Sequence, residues 1–459
     1  MLKVKDVSFS YTKQMPSLEH INLDIQPGEC ILLCGESGCG KTTLTKVING
    51  LIPHFYNQGT LNGEVIYRGK TIGNMRMYEI AKYISSVFQN PKSQFFHTQS
   101  DAEIVFGLEN EGMDTNFIKK RFQKVVSDLH VNNLTGRSVF SMSGGEKQQL
   151  AFASVYAMNP KIYVLDEPTA NIDQEAIERL TEIIKKIKER GHTVIIAEHR
   201  LFFLKDIIDR AIYIRNGKIE QILNKDEFFK LSEDQRISMG LRTLHKETLC
   251  LSYGSNDKDF VNVEITGLSC GFKRKFLFKN LNLSFKEGSI LGITGKNGVG
   301  KSTLCRCIAG LHKEKSGTIK WNGKPLKMKK RRALCSMVMQ DVNHQLFSDS
   351  VYNECRLGNE KVSDEKIFDV LEQFDLLKYK DAHPMSLSGG QKQRLAVETS
   401  ILSEKKILIF DEPTSGLDYR RMINVSKQIK SLSERGHCIM IISHDIEFLN
   451  QTCNQVFQL

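Results

Sequence analysis

Short apolar runs alternate with longer amphipathic stretches along this chain. Cys30 to Cys34 and Ile162 to Leu165 are apolar without a break, and Thr193 to Ala197 nearly so, the pattern of strands covered on both faces. Leu2 to Phe9 and Ile21 to Ile25 read as opening strands. Helices are predicted from Lys41 to about Gly50, up to about Met158, and over the charged stretch Glu175 to Arg190. The section from Glu79 to Thr135 reads as mostly helical with polar breaks. Ala211 to Ile214 and Lys218 to Ile222 flank Asn216-Gly217, a hairpin signal. Strands alternating with helices predict a mainly parallel α/β sheet.

The pattern restarts at Val261. Asn224 to Phe260 is charged, partly helical and without a counterpart elsewhere, so it reads as a linker. The predicted domains are therefore residues 1–223 and 261–459, joined by 224–260. Leu459 lies 15 residues past His444, and Ile214 lies 15 past His199. The second copy is accordingly expected to lack half of the hairpin, leaving any C-terminal extension to the first.

Composition narrows the class. Hydrophobic residues at 40% and charged residues at 25% suit a globular protein with a real core. No apolar run approaches the ~18–20 residues that cross a bilayer, and the first residues lack the regions of a signal peptide. Any action at a membrane is expected to need another subunit for the spanning. The net charge of +11 admits nucleic acid, an anionic surface or simple solubility. The densest basic run, Lys327 to Arg332, has no interleaved aromatics, so nucleic acid is not an expected partner. Eleven scattered cysteines without paired metal-ligand spacing read as reduced thiols. Cys305 and Cys307 are expected to be buried or half-buried on a helix.

One set of motifs occurs twice in the same order. Gly35-Glu36-Ser37-Gly38-Cys39-Gly40-Lys41-Thr42 and Gly295-Lys296-Asn297-Gly298-Val299-Gly300-Lys301-Ser302 each place two glycines around four residues, then Lys and a hydroxyl. That is the phosphate-loop pattern. Backbone N–H groups at the positive end of the following helix cradle phosphates. Lys41 and Lys301 neutralise phosphate charge, and Thr42 and Ser302 can ligate Mg²⁺. Thr43 and Thr303 complete the loops. Each loop is followed by an S-G-G stretch, at Ser143-Gly144-Gly145 and Ser388-Gly389-Gly390, and by D-E-P-T, at Asp166 and Asp411. A histidine, His199 or His444, closes each set. Ser143 to Glu167 and Ser388 to Glu412 both span 24 residues, and Glu167 to His199 and Glu412 to His444 both span 32. Asp166 and Asp411 end apolar strands, which brings their carboxylates to the sheet edge near the metal. Glu167 and Glu412 are the candidates to orient or deprotonate an attacking water. At a helix N-terminus the Cys39 thiolate is expected to be favoured.

These residues resemble the nucleotide-binding domain of ABC-type ATPases over nearly all of both copies. The resemblance implies ATP and Mg²⁺ as cofactors, and in each copy a mainly parallel sheet core, an antiparallel β part and a helical subdomain. It implies that the S-G-G segment of one domain caps ATP held by the other, so Ser143 to Gly145 would serve Lys301 and Ser388 to Gly390 would serve Lys41. Gln89 and Gln340 resemble the loop glutamine that senses Mg²⁺ and water, and His199 and His444 the histidine on the γ-phosphate. Tyr11 and Phe272 resemble the aromatic stacked on adenine. The copies differ at Glu146 against Gln391 and at Asn171-Ile172-Asp173 against Gly416-Leu417-Asp418, which predicts two competent but unequal sites.

Phe88-Gln89-Asn90-Pro91-Lys92-Ser93-Gln94-Phe95-Phe96 parallels Met339-Gln340-Asp341-Val342-Asn343-His344-Gln345-Leu346-Phe347. This is similar to the energy-coupling-factor class of ABC importers, and it falls where such an ATPase receives a membrane partner. Phe95, Phe96 and Phe347 would serve either as exposed docking residues or as core of the helical subdomain. Departure from the pattern at Asp341-Val342 makes docking on the two copies unequal. The importer reading implies scaffold and substrate-capture membrane proteins as partners, a place at the cytoplasmic face of the membrane, and a vitamin, related micronutrient or metal ion as cargo. A tandem sugar-importer ATPase and a ribosome-associated ATPase are the alternatives. Lys41→Ala and Lys301→Ala should each lower ATP turnover strongly in a phosphate-release assay, and normal turnover in either would contradict the assignment.

Overall fold

A computed structural model describes residues 1–12, 16–170, 172–251, 261–272, 275–339, 341–359, 361–403 and 405–459. Gln340, Asn171 and the end of the predicted linker (252–260) lie outside the described residues. The chain divides into two compact units, one built on Met1–Lys246 and one on Glu247–Leu417 and Arg421–Leu459.

The first unit opens with strands β1 (Leu2–Ser10), β2 (Leu18–Ile25) and β3 (Cys30–Cys34), then helix α1 (Lys41–Ile48). Strands β4 (Thr60–Tyr67), β5 (Lys70–Thr71) and β6 (Ile84–Val87) follow. Helices α2 (Ser100–Asn110), α3 (Thr115–Leu129) and α4 (Gly144–Met158) lead to β7 (Ile162–Asp166), α5 (Gln174–Glu189) and β8 (Thr193–Ala197). The hairpin β9 (Arg210–Arg215) and β10 (Lys218–Asn224) comes next. The antiparallel sheet has the order β2-β1-β4-β5, and the second sheet the order β10-β9-β3-β8-β7-β6. All neighbours in the second sheet are parallel except the β9–β10 pair.

Alternation along the parallel strands explains how one sheet serves two cores. Cys30, Leu32 and Cys34 of β3, with Tyr163, Leu165, Val194 and Ile196, pack beneath the helices, against residues such as Ala151, Ile177 and Ile184. Ile31 and Leu33, with Ile162, Val164 and Ile195, face the other way, toward Leu2, Val4, Val65, Leu44 and Ile48. Every residue of β3, β7 and β8 is buried, and each large aliphatic side chain among them is worth about 1.5–3 kcal/mol.

Two expectations change here. Within the section read as mostly helical, Ile84–Val87 is a strand, hydrogen-bonded in parallel to β7 from Ile84 opposite Ile162. The segment read as a linker packs on the first unit as far as Lys246: Phe228, Met239, Leu241 and Leu244 join its core. Arg236, 5% exposed, is held there by the Leu241 carbonyl at 2.6 Å and by Glu233.

The second unit repeats the design. Strands β11 (Val263–Phe272), β12 (Lys275–Phe285), β13 (Ile290–Thr294) and helix α6 (Lys301–Ile308) are followed by β14 (Ser316–Trp321) and β15 (Lys324–Pro325). Then come α7 (Met328–Leu334), β16 (Cys335–Val338), α8 (Val351–Arg356), α9 (Asp364–Gln373), α10 (Gly389–Leu402), β17 (Ile407–Asp411), β18 (Cys438–Ile442) and β19 (Gln455–Gln458). Its sheets run β12-β11-β14-β15 and β16-β17-β18-β13-β19, the latter parallel throughout.

One buried position sets the copies apart. Glu398 on α10 is fully buried, at the place where α4 carries Ala153, and neither carboxyl oxygen has a hydrogen-bond partner. Burial pushes its carboxyl well above the usual range despite the nearby Arg394. An acid held neutral in the fold but ionised in the unfolded chain stabilises the fold fully only below its unfolded value. Above that value the unfolded state gains, and stability falls as pH rises. Glu398→Gln should therefore melt higher than the parent at pH 8, by at least the ~2–4 °C that 1 kcal/mol gives in a domain of this size, and the gap should close toward pH 4. A gap independent of pH in thermal unfolding would contradict this.

Candidate nucleotide site

Each site is built where a buried strand meets a helix through a glycine loop. Gly35 and Gly40 have φ of 140° and 112°, and Gly295 and Gly300 repeat these values. A Cβ on Gly35 would fall 2.1 Å from the Ile214 carbonyl oxygen, and one on Gly295 would fall 2.6 Å from that of Leu459. Glycine is thus required by contact with the neighbouring strand as well as by φ. Gly38 and Gly298 also have positive φ. The lysine side chains fold back over the loops. Lys41 Nζ donates to the carbonyls of Gly35 and Glu36, both at 2.9 Å, and Lys301 Nζ to those of Gly295 at 2.8 Å and Lys296 at 2.9 Å.

The D-E-P-T carboxyls converge on the same place. Thr42 Oγ1 donates to Asp166 Oδ1 at 3.1 Å, and Ser302 bonds Asp411 in the second copy. Burial pushes the Asp166 acid up to about 6, opposed by Thr42 and Lys41. Burial also raises Glu167, to about 8, helped by the charges of Asp166 and Glu198. Asp411 is raised by burial likewise. Gln89 Nε2 donates to Glu167 Oε2 at 2.8 Å. His199 Nε2 lies 3.8 Å from Glu167 Oε1 and 3.3 Å from Ser37 Oγ. In the second copy His444 Nε2 lies 3.9 Å from Glu412 Oε1 and 3.0 Å from Asn297 Oδ1. The structure therefore brings loop, aspartate, glutamate and histidine together in both copies, and the loop glutamine in the first.

The S-G-G residues occupy the first turns of α4 and α10. Ser143 and Glu146 form a reciprocal cap, with Ser143 N–H donating to Glu146 at 2.8 Å, and Ser388 and Gln391 do the same at 2.8 Å. Helix N-termini with free amides favour anions. Glu146 puts a negative charge there that Gln391 does not, and Arg137 pairs with it at 2.6 Å. Burial opposes ionisation of Glu146, but Arg137 and the Ser143 N–H outweigh it and hold the carboxyl below its usual range. Tyr11 is 37% and Phe272 55% exposed, and Lys46 Nζ sits over the Tyr11 ring at 5.8 Å. Tyr11 Oη lies 3.5 Å from Thr43 Oγ1 and its ring 5.8 Å from that of Tyr56, whereas Phe272 neighbours His312 at 5.1 Å.

Some features were not foreseen. Glu198, 3% exposed, accepts from Thr169 Oγ1 at 2.6 Å and from the His199 N–H at 2.7 Å, tying the D-E-P-T turn to the histidine. In the second copy Asp445 accepts from Thr414 at 3.1 Å, and Ser443 Oγ donates to Glu412 at 3.2 Å. The sequence signal is an acid flanking each histidine, before it in one copy and after it in the other. The expectation for Cys39 is corrected. The residue is 6% exposed, and burial pushes its thiol up despite the nearby Lys41. The helix N-terminus does not overcome desolvation there.

Oxygen donors at the mouth of a phosphate cradle suit Mg²⁺, which takes carboxylate and hydroxyl ligands beside substrate phosphates. Asp166 with Thr42, and Asp411 with Ser302, fit that requirement: each is a buried carboxyl whose charge is disfavoured without a cation.

The sequence matches the family described as ABC transporter over residues 18–170 and 278–415, more than half of the chain. A Treponema denticola protein provisionally named as an ABC transporter ATP-binding protein is 46% identical, with 100% of this chain and 95% of that protein covered. A Bacillus subtilis protein, YkoD, provisionally named for HMP/thiamine import, is 32% identical over 100% of this chain and 90% of its own. Among solved structures, the RNase-L inhibitor superposes with a TM-score of 0.66 at 20% identity, over 99% of this chain and 87% of that one. That likeness bears on the fold alone. The chain belongs to the ABC transporter family of ATP-binding proteins. It is a tandem ATP hydrolase that uses ATP with Mg²⁺.

Proposed function

We propose that this protein is the ATP-hydrolysing subunit of an energy-coupling-factor type importer, driving uptake of a vitamin, related micronutrient or metal ion through separate membrane subunits. One observation carries the proposal: an aromatic presented to solvent twice, seven residues past each loop glutamine, by the same device. Phe96 and Phe347 are each 75% exposed. Neither exposure comes from slack backbone. Glu103, 3% exposed, accepts from the N–H groups of Phe96 at 2.9 Å and His97 at 2.7 Å, and Glu354, also 3% exposed, from those of Phe347 at 2.8 Å and Ser348 at 2.7 Å. Gln94 ties the loop to Phe88 N–H at 3.3 Å and Ser86 O at 3.0 Å, and Gln345 does so at Met339 and Met337. Phe95, by contrast, packs on the core.

In the first unit Phe96 stacks on Phe106 at 4.9 Å, on the wall of a groove of about 300 Å³ that Ile84, Phe88, Val155 and Met158 also line. Exposed aromatics fixed beside an apolar groove suit a partner's helix. No helix among the described residues is long and apolar enough to cross a membrane, so this reading places the spanning in other subunits. The relative named for HMP/thiamine import supports a micronutrient cargo.

Within that function Glu167 and Glu412 orient or deprotonate water, and His199 and His444 contact the γ-phosphate. Gln89 and Gln340 relay occupancy to the docking loop that follows them. A base whose acid lies at about 8 accepts a proton readily at neutral pH once ionised. Bound Mg²⁺ would supply charge neutralisation on the phosphates, held by Asp166 with Thr42 and by Asp411 with Ser302. The tagged chain should co-purify with small multi-span membrane proteins from detergent-solubilised native cells, and Phe96→Arg should cut that recovery at least tenfold while Phe117→Arg does not. Recovery of ribosomal subunits instead, or no effect of Phe96→Arg, would overturn the proposal.

A further inference from the structure

The second copy holds a feature its repeat does not. Cys270 on β11 and Cys307 near the end of α6 face each other with Sγ atoms 2.8 Å apart. That is closer than even non-bonded carbon atoms pack, about 3.5–4.0 Å. Both residues are 0% exposed and both thiols are free. In the register that equates Tyr11 with Phe272 and Lys41 with Lys301, the first copy has Phe9 and Val47 at these positions, both buried in its apolar core. Two facing cysteines are therefore confined to the second nucleotide unit. They join its antiparallel sheet to the helix that begins at the phosphate-loop lysine.

We propose that Cys270 and Cys307 form an oxidation site, a reversible disulfide between β11 and α6 made by a hydroperoxide. The sulfurs need close only about 0.8 Å to reach the ~2.05 Å of a disulfide. In the first step the Cys270 thiolate attacks a peroxide oxygen. An S–O bond forms, the O–O bond breaks, and hydroxide leaves to take up a proton as water. In the second step Cys307 sulfur attacks the sulfenic sulfur of Cys270. The S–S bond forms, the S–O bond breaks, and a second water departs with the Cys307 proton. Two thiols and one hydrogen peroxide give one disulfide and two waters, with two electrons passing from sulfur to oxygen.

The surroundings favour the first step. Cys307 as donor draws the Cys270 thiol below its usual range, while its own is pushed up by that hydrogen bond and by burial. The pair thus gives up one proton more easily than two. Arg331, 1% exposed, donates to the Cys307 carbonyl at 2.6 Å and to Glu314 at 2.7 Å, which fixes the end of α6 that carries the sulfur. Burial makes access slow, so oxidation reports opening of this seam. Once formed, the bridge would restrain α6, and with it Lys301, relative to the sheet.

The test treats the full chain with hydrogen peroxide, alkylates it in denaturant and maps peptides without reduction. Cys250 is the exposed cysteine among those described, so Cys250→Ser serves as the background and limits crosslinking between chains. The expected result is a Cys270–Cys307 linked peptide and a loss of two alkylatable thiols, both reversed by dithiothreitol. The parent chain should also show an upward shift of Tm after oxidation, which no thiol substitution is needed to see. Full alkylation of both cysteines after peroxide treatment, or either one bridged to a different cysteine, would overturn the proposal.

Discussion

Burying two adjacent carboxyls at the end of a strand is the constraint around which each unit is organised. Asp166 and Glu167 are 6% and 7% exposed, and Asp411 and Glu412 3% and 6%. Charges so placed are costly unless paired or hydrogen-bonded. Glu167 and Glu412 also hold φ of 48° and 52°, a left-handed conformation that costs a non-glycine residue about 1–3 kcal/mol. A main-chain bond from each to the neighbouring strand fixes this turn, Glu167 N–H to Ala197 O at 2.8 Å and Glu412 N–H to Ile442 O at 2.9 Å. Fully buried strands β7 and β8, and β17 and β18, supply the rigidity. The remaining groups of the site, Thr42, Gln89 and His199 among them, are polar partners brought to those acids.

The copies share this plan and differ one layer further out. In the first, the buried Glu198 carboxyl adds to burial and Asp166 in raising Glu167. In the second a serine hydroxyl occupies that position and donates to Glu412. The helix that begins with S-G-G starts on an acid–arginine pair in one copy and on a neutral glutamine in the other. Deeper still, Ala153 is exchanged for Glu398, and Phe9 with Val47 for two cysteines. Two sites with equivalent motif residues thus sit in different electrostatic surroundings.

What could be read in the chain was what local pattern specifies. Continuous apolar runs located β3, β7 and β8 because parallel strands bury both faces. Glycine spacing located the phosphate loops because only glycine meets their φ and their contact with the next strand. Ile84–Val87, four residues with two serines, carries no period of its own, and its pairing with β7 is a tertiary fact. The packing of Phe228, Leu241 and Leu244 on the first unit was hidden by the charged residues around them. The acid beside each histidine changes sides between the copies, Glu198 before His199 and Asp445 after His444, so the repeat register does not expose it; the exposure of Phe96 depends on Glu103, seven residues away. At Cys39, helix polarity is legible in sequence while desolvation is not.

In the proposed function, hydrolysis runs through one buried glutamate in each copy. Its most direct test is the steady-state ATP hydrolysis rate of the chain carrying Glu167→Gln and Glu412→Gln together, with ATP binding measured on the same preparation. Loss of proton acceptance at both sites predicts retained binding and a rate at least about 100-fold lower. A double variant that binds ATP and hydrolyses it at the parent rate would contradict the account.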